Sequence, residues 1–191
     1  MAKPGKHLLV CGSLPVKAHN AGLFISRGRG GRHPERVIDS YELIFVRQGV
    51  LDIHEGGKAH TLGPGAAIIL LPGICHGGTA DYPADLSFYW VHFSLGSKAA
   101  PKSRTNPSQL SVPRSRQVVR PDRLAEIFRL FLNDQEGDEQ SPAIADALLF
   151  LMLAEVANDP PASTRLDAAQ ARLAELADQL IKFYFQEVVP L

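Results

Sequence analysis

The chain has 191 residues, 45% of them apolar and 21% charged, and its twenty basic and twenty acidic side chains cancel to a formal charge of zero. That balance excludes a disordered tail, a fibrous repeat and a disulfide-stapled mini-protein, and the length suits one domain with a small appendage. Taken whole, the zero also argues against a nucleic-acid-binding domain, which should be basic. It hides a division, however: fifteen basic and seven acidic residues up to Arg120 give +8, and five and thirteen after it give −8.

The first part is punctuated by glycine, and short runs rich in β-branched and aromatic residues lie between the breaks. Strands are expected at Leu8–Cys11, Leu23–Arg27, Tyr41–Gln48, Val50–Glu55, Ala59–Leu62, Ala66–Leu71 and Leu86–Ser94, with one more at Gln117–Val119. Gln48-Gly49 and Glu55-Gly56-Gly57-Lys58 read as hairpin turns. Many short strands at regular spacing point to a sandwich or barrel. In Leu86–Ser94 the even positions are Leu86, Phe88, Trp90 and His92, and the odd ones are Ser87, Tyr89, Val91 and Phe93. Both faces are largely apolar, so this strand is expected to be covered on both sides, one of them lining a pocket or barrel interior.

The stretch from Ser97 to Arg120 carries Lys98, Lys102, Arg104, Arg114, Arg116 and Arg120, no acid and three prolines. It reads as a solvated linker or meandering crossover. After Pro121 the period becomes helical, with Leu124, Ile127, Phe128 and Phe131 on one face. A second helix is expected from Ser141-Pro142, with the serine as N-cap and an all-apolar middle, ALLFLMLA, that suits a sandwiched helix or a subunit interface. A third is expected from Leu166 to Glu187, its stripe of Leu166, Ala169, Leu173, Leu176, Leu180 and Phe183 serving intramolecular packing or a dimer seam.

Cys11 and Cys75 form no CxxC pair, the N-terminus lacks a signal peptide's apolar core, and the longest apolar runs, Ala66–Pro72 and Ala147–Ala154, are too short for a bilayer. The expectation is a cytoplasmic protein with free thiols and no membrane partner.

Five motifs in order carry a family resemblance: Tyr41-Glu-Leu-Ile-Phe-Val-Arg-Gln-Gly49, Leu62-Gly-Pro-Gly65, Ile69-Leu-Leu-Pro-Gly73, His76-Gly, and Phe88-Tyr-Trp-Val-His-Phe93. The chain resembles the sensor domain of AraC-type transcription regulators over roughly residues 8 to 187. The resemblance implies a mostly β fold with C-terminal α structure: a cupin-like (jelly-roll) barrel followed by a helical dimerisation segment. Implied boundaries are an N-terminal arm and first strand at 1–20, the barrel at 21–96, a basic linker with a possible last strand at 97–120, and the dimerisation helices with the lead-in to a DNA-binding domain at 121–191. The two helix-turn-helix motifs that the family carries after that lead-in are absent, so DNA is expected as a partner only through that missing domain.

The resemblance further implies a small-molecule effector, a sugar or similar polar molecule, held inside the barrel under the N-terminal arm. It implies ligand contacts at Arg27 and Trp90, pocket walls at Ile25 and Phe88, and an arm contact at Leu14. Chemically, arginine offers a rigid fork of donors to hydroxyl or carboxylate oxygens, and an indole gives a flat face for the C–H side of a sugar ring. The aligned position of Phe88 is polar in the arabinose-responsive member, which points to a different or less polar effector.

His76 follows Pro72-Gly73 in the spacing Gly-x6-Pro-Gly-x2-His, where metal-dependent cupins place a ligand. Such a site needs three or four converging donors, and the chain has no His-x-His, only His33, Glu35 and Glu42 in the corresponding region. The expectation is therefore no metal and no cofactor, with His76 hydrogen-bonding and Glu42 lining the pocket or pairing with an arginine. No phosphate loop, nucleophile elbow or triad spacing is present, so the chain is read as a non-enzyme; the alternative is a metal-dependent cupin enzyme of sugar isomerase or dioxygenase type.

Overall fold

A computed structural model describes residues 7–11, 16–28, 30–96, 109–137 and 141–159. The chain divides into two units after Asn158, and the account below concerns the first. The expected third helix and Leu14 lie outside the described residues.

Among the described residues ten strands precede two helices. They are β1 (His7–Cys11), β2 (Val16–Ile25), β3 (Tyr41–Gln48), β4 (Leu51–Glu55), β5 (Lys58–Leu62), β6 (Ala66–Leu70), β7 (His76–Gly78), β8 (Ser87–Leu95), β9 (Gln109–Pro113) and β10 (Ser115–Gln117), then α1 (Pro121–Glu136) and α2 (Pro142–Ala157). A five-stranded sheet runs β10-β6-β3-β8-β2, a three-stranded sheet runs β5-β4-β7, and β1 pairs with β9. Every pairing is antiparallel.

The inner strands of the five-stranded sheet, β6, β3 and β8, are largely buried on both faces, and strand alternation decides which side chain goes where. Ile44, Val46, Ile68, Leu70 and Phe88 point between the two sheets and pack with Leu51, Ile53 and Leu62. Leu43, Phe45, Ile69, Tyr89, Val91 and Phe93 point the other way, onto Leu124, Ile127, Phe128 and Phe131 of α1 and onto α2. Phe128 lies parallel to Tyr89, ring centroids 4.9 Å apart, and to Phe45 at 6.3 Å. The two-sided character read in residues 86–94 has this cause.

α2 packs on α1, β2 and β9. Its apolar circumference is only partly used: Leu149, Met152 and Leu153 are fully buried, whereas Ile144 and Leu151 are about half exposed. The serine expected as its N-cap, Ser141, sits at that position but makes no side-chain capping bond.

Four strands escape the sequence pattern. β2 starts at Val16, because its Lys17, His19 and Asn20 are exposed edge positions that break the apolar run. β7 is three residues long, and two of them are glycine. The expected linker contains β9 and β10, and its Arg114 and Arg120 are structural ties. Arg114 pairs with buried Glu55 and donates from Nε to the Ile69 carbonyl at 2.9 Å. Arg120 grips buried Glu155 of α2 through two bonds of 3.0 and 2.8 Å, and Arg123 joins at 2.9 Å. Part of the basic excess is thus neutralised by the acidic helices of the same chain.

Candidate functional site

Between the two sheets, beside the apolar core, lies a cavity of about 390 Å³. Its aromatic walls are Phe24, Tyr82, Phe88 and Trp90. Phe24 stacks on Phe88 at 4.8 Å between centroids and meets Tyr82 at 4.6 Å. The Trp90 indole lies against Gly22 of the neighbouring strand, where a Cβ would stand 2.5 Å from its Cζ2. Only glycine leaves the ring that position.

The polar end is built by β3, β7, β8 and the segment that leads into β3. Glu42 points inward because it shares the face of Ile44 and Val46, and it is 1% exposed. His92 shares the face of Phe88 and Trp90. His33 and Arg36 come from the segment between β2 and β3, which is laid on β7. Arg36 and His76 exchange backbone hydrogen bonds of 2.9 and 3.0 Å, and the Gly78 N–H donates to the His33 carbonyl at 2.9 Å. A Cβ on Gly78 would stand 2.7 Å from the His33 nitrogen, and one on Gly77 3.0 Å from the Glu35 Cα. These glycines therefore make room for the 32–36 backbone rather than for a ligand.

Arg36 bridges the cluster. Its Nη2 donates to Glu42 Oε2 at 3.1 Å and its Nε to His76 Nε2 at 3.4 Å. The Nδ1 of His33 donates to the Pro34 carbonyl at 3.1 Å, and that of His76 to the Ile74 carbonyl at 3.4 Å. A carbonyl only accepts, so both rings carry their proton on Nδ1 and keep a lone pair on Nε2. His92 Nδ1 is 2.9 Å from the Ser40 hydroxyl, and its Nε2 is 3.9 Å from Glu42 Oε1.

Burial sets the charge states. It is the first cause that pushes His33 and His92 down to about 4, with Arg36 and the neighbouring histidines acting in the same direction. Burial lowers His76 as well. It raises Glu42, against the opposing pull of Arg36, and pushes Tyr82 up to about 12. At neutral pH the polar end thus presents neutral imidazoles around one carboxyl–guanidinium pair.

Of the residues singled out from the sequence, Trp90, Phe88 and Glu42 line this cavity. His76 is fully buried, its Nε2 3.8 Å from Glu42 Oε2. Arg27 and Ile25 are not brought there. Ile25 is 58% exposed, on the opposite face of β2 from Phe24, and Arg27 follows the strand into solvent. Ile25 instead borders a separate groove with Arg47 and Arg129. Sequence reasoning missed Phe24, Arg36 and Tyr82 as lining residues, and did not join His92 to Glu42. His92 had a signal in its parity with Trp90, and His33 in its place beside Glu42 in the region where metal-dependent cupins put ligands; Arg36 had none, because a non-repetitive segment delivers it.

A family model described as the AraC-like ligand binding domain matches residues 22–153. The uncharacterized HTH-type transcriptional regulator YisR of Bacillus subtilis (strain 168) is 25% identical over 186 residues, covering 86% of this chain and 64% of that protein. The chain therefore spans just under two thirds of that relative's length. Among solved structures, the Cnp3 cupin domain of Schizosaccharomyces pombe overlaps 43% of this chain and 58% of its own, at 11% identity and a TM-score of 0.32. KdgF from a Halomonas species overlaps 45% and 76%, at 20% identity and a TM-score of 0.32. The architecture is the expected mostly β one, with helices after the strands.

Proposed function

The chain belongs to the family of AraC-like ligand-binding domains, and on that premise we propose that it senses a sugar or similar small polar molecule in the cavity beside Trp90 and passes the signal to a DNA-binding domain. The cavity itself carries the reading. Flat aromatic faces at one end suit the C–H side of a ring, and a buried carboxyl, a guanidinium and neutral imidazoles at the other offer donors and acceptors to hydroxyls. The pair Arg36–Glu42 carries no net charge, which favours a neutral polyol over an ion. Binding shifts a population towards the state that makes more contacts. In this reading the protein is a cytoplasmic non-enzyme and a homodimer through its C-terminal helices. No helix among the described residues is long and apolar enough to cross a membrane.

A thermal-shift screen over mono- and disaccharides, run in chelator, tests the reading. A hit should be lost in Trp90→Ala and Phe88→Ala, with the fold retained by circular dichroism, and kept in Arg27→Ala. Stabilisation that survives both cavity variants would overturn the assignment. Sedimentation tests the dimer, and a monomer at high concentration would count against it.

A further inference from the structure

We propose that His33, Glu42, His76 and His92 form a binding site for one divalent first-row transition-metal ion, for which the Arg36 guanidinium competes. This goes beyond effector sensing and does not depend on the effector's identity. Donor atoms of His33, Glu42 and His76 all lie within 4.8 Å of one another, and all three residues are buried. His92 stands outside that group of three but reaches the other carboxylate oxygen at 3.9 Å, where it offers a fourth donor. Three imidazole nitrogens and one carboxylate are a donor set suited to zinc, nickel, copper or iron.

The rings are also held as metal-ligating histidines are held. Each uses Nδ1 on a fixed partner, the Pro34 carbonyl, the Ile74 carbonyl or the Ser40 hydroxyl. That arrangement turns Nε2 inward and sets the ring's orientation before an ion arrives. A lone structural histidine needs one such bond; three that converge on one buried carboxyl describe a site.

Arg36 explains why the set stands wide. Ligands about 2.1 Å from a tetrahedral ion are about 3.4 Å apart, whereas His76 Nε2 and Glu42 Oε2 are 3.8 Å apart, both bonded to Arg36. Its side chain is 38% exposed and sits on a non-repetitive segment, so it can withdraw to solvent while the ion takes over the neutralisation of Glu42.

The test uses the full chain, stripped with chelator, dialysed, and titrated with Zn²⁺ and Co²⁺ without any effector. One equivalent should bind per chain, raise the melting temperature, and give Co²⁺ the visible absorption of a site with few ligands. Glu42→Gln and His92→Ala should weaken binding by about 100-fold or more, and Ser40→Ala by about tenfold. Arg36→Ala should tighten it by about tenfold or more, a gain that misfolding cannot produce. Absence of stoichiometric binding in both the parent and Arg36→Ala would overturn the proposal. So would binding that Glu42→Gln leaves unchanged, which would assign the ion to surface histidines. An effector hit in chelator without metal binding would leave the sensing reading intact and remove this one.

Discussion

Gly78→Ala should disable the polar end of the cavity without replacing any residue that lines it. The new methyl would meet the His33 nitrogen at 2.7 Å and the Arg32 Cβ at 3.0 Å. The first of these is backbone, so no rotamer change relieves it, and the 32–36 segment must lift by roughly half an ångström or more. Overpacking of this kind costs about 1–3 kcal/mol. Weakening of the Gly78-to-His33 backbone bond of 2.9 Å adds about 1 kcal/mol. The expected total, about 2–4 kcal/mol, is less than the stability of most domains, so the protein should still fold. Gly63→Ala is the control: nothing lies within 4 Å of a Cβ there and its φ is ordinary, so that variant should be neutral or gain up to about 1 kcal/mol. Urea unfolding gives both values. Trp90, the chain's single tryptophan, reports the cavity by its emission in the same experiment. A Gly78→Ala protein with parental stability and parental emission would refute the role assigned to this glycine.

Two further outcomes follow from the core and the buried histidines. Phe128→Ala removes a fully buried ring held between Phe45 and Tyr89 and should cost about 3–5 kcal/mol in chemical denaturation; a loss under 1 kcal/mol would mean that α1 does not cap the sheet. In the metal-free protein His33 titrates at about 4 instead of 6.5, from burial first and then from Arg36, His76 and His92. The unfolded chain therefore takes up the proton first, and the stability is complete above about pH 6.5 and lost as pH falls towards 4. For His33 alone the loss is on the order of 3 kcal/mol, so His33→Asn should reduce the slope of the stability profile between pH 6.5 and 4 while His92 and His76 keep theirs, and an unchanged slope would contradict the burial argument.

How much of this was legible in the sequence depended on how each residue is delivered. Strand alternation carried Phe88, Trp90 and His92 to one face, and helical period carried Leu124, Ile127, Phe128 and Phe131 to another, so the mostly β, helix-backed architecture could be read directly. β7 could not, because His76-Gly-Gly has no apolar pattern and is a strand only through its partners. Arg36 and His33 reach Glu42 through long-range pairing of an irregular segment with β7, which no local rule announces. Arg114 and Arg120 looked solvated because their acids, Glu55 and Glu155, stand 59 and 35 residues away. Ile25 and Arg27 fell outside the cavity because β2 presents Phe24, not Ile25, to the interior.

The two-faced central sheet also fixes how this protein can change over time. In β8 each cavity residue is flanked by residues that hold the helices. One inserted residue would turn Tyr89, Val91 and Phe93 into the cavity and Phe88, Trp90 and His92 onto the helices, exchanging binding surface for core in a single step. New specificities can therefore be reached by exchanging side chains at fixed strand length, whereas insertions and deletions are tolerable only in connections such as the one before β3. Libraries aimed at a new ligand should be built with that asymmetry in mind.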